Sequence, residues 1–81
     1  MLGKGLAADI NHRLPIGYEA IFVREQVDLV FDYIEIVKKR TLFAPRRRIG
    51  VVYEDVNGIR VKYDDDFGKI DLAIRSSIKN H

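Results

Sequence analysis

The chain has 81 residues, 47% hydrophobic and 32% charged, with a formal net charge of +2 and no cysteine. A chain of that length forms one domain that buries only about 60% of the surface its unfolded form exposes, and its composition sets it apart from disordered sequences. Disulfides and thiolate metal sites are excluded, and no run of large apolar residues exceeds three, as at 21–23 and 29–31, far short of the ~20 needed to span a bilayer.

Charge is unevenly spread. Residues 38–48 hold six of the fourteen basic side chains (Lys38, Lys39, Arg40, Arg46, Arg47, Arg48) and no acidic one, which leaves eight basic against twelve acidic elsewhere, a balance of −4. No signal-like run follows Lys4, because Asp9, Asn11, His12 and Arg13 interrupt it. A soluble, cytoplasmic protein with no membrane partner is expected, and self-association is the cheapest reinforcement for so small a core.

Residues 1–17 carry Gly3, Gly5, Pro15 and Gly17 without a sustained period and read as an N-terminal arm. The spacing of Leu6, Ile10 and Leu14 admits one or two helical turns, and with Ile16 they would dock the arm on a neighbour. Residues 18–81 form the single domain.

Residues 19–40 organise the domain. At about 100° per residue, Ile36, Leu29, Tyr33, Val37, Val30, Val23, Ile34, Val27 and Phe31 fall in one apolar arc of roughly 220°, and Arg24, Glu25, Asp28, Asp32, Glu35 and Lys39 fill the remainder. The pattern predicts one long amphipathic helix, ended before Pro45, with Lys38, Lys39 and Arg40 at the negative end of its dipole. A strand is set aside because it would make both sheet faces apolar. The arc is about twice as wide as one core needs, so its back, with Leu29, Tyr33 and Ile36, is expected to associate with a second copy as a homodimer or tetramer.

Beyond Arg48 the period becomes two. Residues 49–56 and 59–64 flank Asn57-Gly58, a strong hairpin signal. A two-residue loop there pairs Val56 with Ile59, Asp55 with Arg60 and Val52 with Tyr63. After a turn at 64–68, the alternation of Ile70, Leu72 and Ile74 predicts a third strand, with Val61 opposite Leu72. A helix from Asp71, with Ile70, Ile74 and Ile78 on one side, fits the same residues. The expected fold is α+β, one helix on a three-stranded antiparallel meander.

No catalytic, metal or cofactor signature stands out. His12 and His81 lie near the ends, where a general base is poorly held. The acidic run 64–66 has Arg75 where a calcium loop needs its bidentate glutamate. Asp28, Asp32 and Glu35 are helix neighbours that read as a solvated face. Two groups carry binding hypotheses. The six basic residues of 38–48 suit phosphate, with Phe43 at hand for base stacking, which makes nucleic acid or another polyanion one partner class. The reading the sequence favours is that Lys38, Lys39 and Arg40 complete the helix end while Arg46, Arg47 and Arg48 meet acidic residues such as Asp64, Asp65 and Asp66. Glu54, the polar misfit on the inner hairpin face, and the amphipathic Tyr33, Tyr53 and Tyr63 suit a small-ligand or active site between subunits. The sequence as a whole indicates a self-associating binding module without assignable catalysis.

Overall fold

From Tyr18 to Tyr63 the chain runs as four antiparallel strands, β1 (Tyr18–Gln26), β2 (Val30–Lys38), β3 (Arg47–Asp55) and β4 (Gly58–Tyr63), in the sheet order β1-β2-β3-β4. Helix α1 (Lys4–Arg13) precedes them and α2 (Phe67–Lys79) follows. This is a computed structural model that describes residues 2–26, 30–64 and 67–80. The protein is a small α+β fold, with two helices and four strands where the sequence predicts one helix and three strands.

The largest correction concerns residues 19–40, most of whose described residues belong to the paired strands β1 and β2 and not to a helix. The ladder runs from Tyr18 opposite Lys38 to Gln26 opposite Val30 without a slip. Val23, Ile34, Ile36 and Val37 are β-branched, and such side chains favour the pleated surface over the helix. Ala20, Ile34 and Ile36 point into the core. Their neighbours Ile21, Val23 and Tyr33 point to the other face and are only half-buried. When both faces of a strand carry apolar residues the two-residue alternation is lost, and on a helical projection those residues fill a broad arc.

The hairpin at Asn57-Gly58 forms, but one rung earlier than expected. Asp55 faces Gly58, Glu54 faces Ile59 and Val52 faces Val61, so Val56 and Asn57 make the loop. The Asp55 carboxylate accepts the Asn57 N–H at 2.8 Å, and Gly58 at φ 115° takes the left-handed conformation that follows such a turn. The shift is two residues, so each side chain that stays in the ladder keeps its expected face, while Val56, expected on the inner face, is fully exposed in the loop. Arg60 and Asp55 still meet, at 3.6 Å.

Residues 67–79 are helical, not a third meander strand. Ile70 and Ile74 enter the core and Ile78 packs beside them, whereas Leu72 is 80% exposed. The four-residue period therefore outweighs the two-residue one. Arg75 donates to Asp71 at 2.8 Å, an i,i+4 contact that only a helix makes.

The arm is also a structural element. Leu6, Ala7 and Ile10 of α1 are buried in the chain's own core, Leu14 packs against it, and Ile16 alone is fully exposed. Asn11 fixes α1 to the sheet: its amide nitrogen donates to the Ala20 carbonyl and its oxygen accepts the Ala20 N–H, both at 2.7 Å. One rung of the open β1 edge is thereby satisfied by a side chain. A turn with Gly17 at φ 99° then leads into β1.

Both helices contribute to one core on one face of the sheet. A β-bulge in β3, where Ile36 faces Gly50 but Val37 faces Arg48, turns Ile49 into that core as an extra residue. Gly50 lies so close to β4 that a Cβ would meet the Lys62 carbonyl at 3.1 Å and the Tyr63 ring at 3.3 Å.

Candidate site at the β2–β3 hairpin and the open sheet face

The basic segment is not the end of a helix. It is the tip of a β-hairpin, formed by the last residue of β2, the connection 39–46 and the first residues of β3. Lys38 faces Arg47 directly across the ladder, and the Lys38 ammonium sits 5.9 Å from the centre of the Tyr18 ring. Arg48, placed opposite Val37 by the bulge, approaches Asp64 at 3.9 Å with both side chains about half exposed, a contact worth little. Lys39, Arg40 and Arg46 lie in the exposed connection. All six cations thus converge on one end of the sheet.

The tip itself is ordered by Thr41. Its hydroxyl accepts the N–H groups of Phe43 at 3.2 Å and Ala44 at 3.0 Å, and its own N–H donates to the Ala44 carbonyl at 2.8 Å. This is a local side-chain turn of the kind threonine favours. It holds Leu42 and Phe43 outward, each 96% exposed. One side of the tip is a small cleft with Lys38, Lys39 and Arg47 along its wall. Sequence reasoning included the cations and Phe43 but missed Leu42; the signal for it was Thr41 three residues before Ala44.

The other expected groups are redistributed. Tyr33, Tyr53 and Glu54 line one shallow concavity over β2 and β3, together with Val51, Arg48 and Asp32. Glu54 is exposed at the strand end. Tyr63 does not join them: it lies on the helix side, packed against the core, and its hydroxyl donates to Asp71 at 2.8 Å. Burial first, and then the bond to Asp71, push its pKa well above the ordinary phenol value.

The expected association surface does not survive as drawn. Ile36 is completely buried in the chain's own core, Tyr33 belongs to the opposite face, and Leu29 lies outside the described residues. Asp32 and Glu35 are separated in the same way, because residues three apart on a strand point to opposite sides; Asp28 is also outside the described residues. Asp65, Asp66 and His81 are likewise undescribed. Among the described residues, no three His, Asp or Glu side chains converge as a metal site, and no helix is long and apolar enough to cross a membrane.

The open face of the sheet has an ordered pattern. Reading across β1, β2, β3 and β4, one row is Val23, Tyr33, Tyr53 and Arg60, and the next is Ile21, Glu35, Val51 and Lys62. Compared with protein-family models, curated proteins and solved structures, the chain matches none of them.

Proposed function

We propose that the chain is a binding module that engages nucleic acid through the β2–β3 hairpin and carries out no catalysis of its own. The observation behind this reading is that one hairpin end gathers six cations and no carboxylate from residues 38–48 around a fixed tip exposing Leu42 and Phe43. Arg and Lys on both strands suit the phosphates bordering a groove, where Arg offers a planar pair of donors. An aromatic and an aliphatic side chain held at the tip suit stacking on a base or wedging between base steps. The body behind the hairpin is net acidic and would face away from the phosphates. A cysteine-free chain fits a cytoplasmic setting for this role.

Fluorescence anisotropy with labelled duplex and single-stranded oligonucleotides, run at several salt concentrations, tests the reading. If most of the six cations engage duplex phosphates, log K should fall against log salt with a slope of about −4 to −5. Replacing Arg46 and Arg47 by Ser should make the slope shallower by about 2. Absence of binding at the lowest salt refutes the proposal, as does binding to phosphatidylserine vesicles but not to either oligonucleotide.

A further inference from the structure

We infer that the open sheet face is the interface of a two-fold dimer, and that the dimer places both basic hairpin tips at the same end. This is independent of what the tips bind.

The face not covered by helices has an apolar centre, Ile21 and Val23 on β1, Tyr33 on β2, Val51 and Tyr53 on β3. Its charges are sorted by strand. Glu19 and Glu35 lie on β1 and β2, whereas Lys62 lies on β4 and Arg48, shared with Asp64 at 3.9 Å, on β3; Asp55 and Arg60, at the far end, neutralise each other at 3.6 Å. An acidic half beside a basic half, with apolar residues between them, is self-complementary under one kind of rotation. A two-fold axis along the strands, between β2 and β3, lays β1 of one copy over β4 of the other and brings Glu35 and Glu19 beside Lys62 of the second copy. An in-plane axis across the strands lays β1 over β1 and sets like charges together, which is disfavoured. The charge pattern therefore selects the axis.

Size agrees with this occupant. Four strands about 4.8 Å apart and about six residues long, at roughly 3.3 Å per residue, present roughly 400 Å² in projection. Two copies contribute roughly 800 Å² before side-chain relief is counted, close to the ~1,000 Å² a specific interface requires. Such a dimer should dissociate on dilution. Rotation about an axis along the strands preserves strand direction, so both β2–β3 tips point the same way, separated by the ~10 Å spacing of stacked sheets.

Sedimentation equilibrium across a hundredfold range of protein concentration, with circular dichroism to verify the fold, tests this inference. The wild type should move from monomer to dimer. Glu35→Lys, which sets cation against cation twice per dimer, should weaken association at least tenfold. The double variant Glu35→Lys/Lys62→Glu should restore it, and so should mixing the separate Glu35→Lys and Lys62→Glu chains. A wild type that stays monomeric throughout overturns the inference and leaves the face to some other partner. A dimer indifferent to Glu35→Lys overturns the axis and the shared direction of the tips.

Discussion

The two faces of the sheet are both built from apolar side chains, yet they have different fates. On the helix side, Ile34, Ile36 and Val52 are completely buried beneath α1 and α2. On the other side, Ile21, Val23 and Val51 remain half-buried and Tyr53 is 37% exposed, while Val37, between Glu19 and Arg48, is completely buried there. The difference does not lie in how apolar the residues are. It lies in which face the helices cover, and in the charges interspersed on the uncovered one, which keep that face compatible with water until a partner arrives.

Substitutions on the two faces should separate them most sharply. Ile34→Ala opens a cavity in a fully packed layer and should lower unfolding free energy by about 2–5 kcal/mol in denaturant titration. Val51→Ala, on the uncovered face, should lower it by under about 1 kcal/mol at concentrations where the chain is monomeric. Equal losses at the two positions would mean that the faces are equally covered.

The attachments that bring the helices to their face come next. Asn11→Ala removes both bonds to the Ala20 backbone and should lower stability by about 1–2 kcal/mol, with hydrogen exchange at Ala20 rising more than at Ile34. Tyr63→Phe removes the bond from β4 to Asp71 on α2 and should lower stability by about 1 kcal/mol at neutral pH. The folded-state pKa of Tyr63 lies above its ordinary value near 10.0, so that contribution is complete below pH 10. It drains away as pH rises from there toward the folded-state value. The Phe variant should therefore show a flatter loss of stability above pH 10 than the wild type.

The smallest stability effect belongs to the tip. Leu42→Ser should change stability by no more than about 0.5 kcal/mol, since Leu42 touches little, while it weakens oligonucleotide binding measurably. A Leu42→Ser chain that binds as tightly as the wild type would assign recognition to the cations alone.

Much of this arrangement was legible in the sequence, though unevenly. Asn57-Gly58 identified a hairpin because few residues accept positive φ, and the alternation on either side assigned its faces correctly even though the register moved by one rung. The cationic cluster was legible as a cluster. Its setting was not, because the same Lys38-Lys39-Arg40 run suits a helix end or a strand end. Residues 19–40 were misread because a strand was expected to have one polar face. Here one face is covered by helices and the other carries an apolar patch, so the two-residue alternation vanished and the β-branched content was the better guide. Residues 70–78 were ambiguous for the opposite reason, since Ile70, Leu72 and Ile74 satisfy the strand period while Ile70, Ile74 and Ile78 satisfy the helical one. Only the absence of a place for Leu72 in the core decides between them. Of the group Glu54, Tyr33, Tyr53 and Tyr63, the register puts Tyr33 and Tyr53 on the open face and Glu54 and Tyr63 at positions of the other, because residue type cannot say which face of a sheet a side chain will occupy.

The central claim is that residues 33–36 alternate between a covered and an uncovered face. A chain without native cysteine allows this to be measured cleanly: single cysteines are introduced at positions 33, 34, 35 and 36, and the rate of thiol labelling is followed under native conditions at low protein concentration. Cysteines at 33 and 35 should label rapidly and those at 34 and 36 should be strongly protected. Reactivity that varies around a helical repeat, or that is uniform across the four positions, would contradict the account.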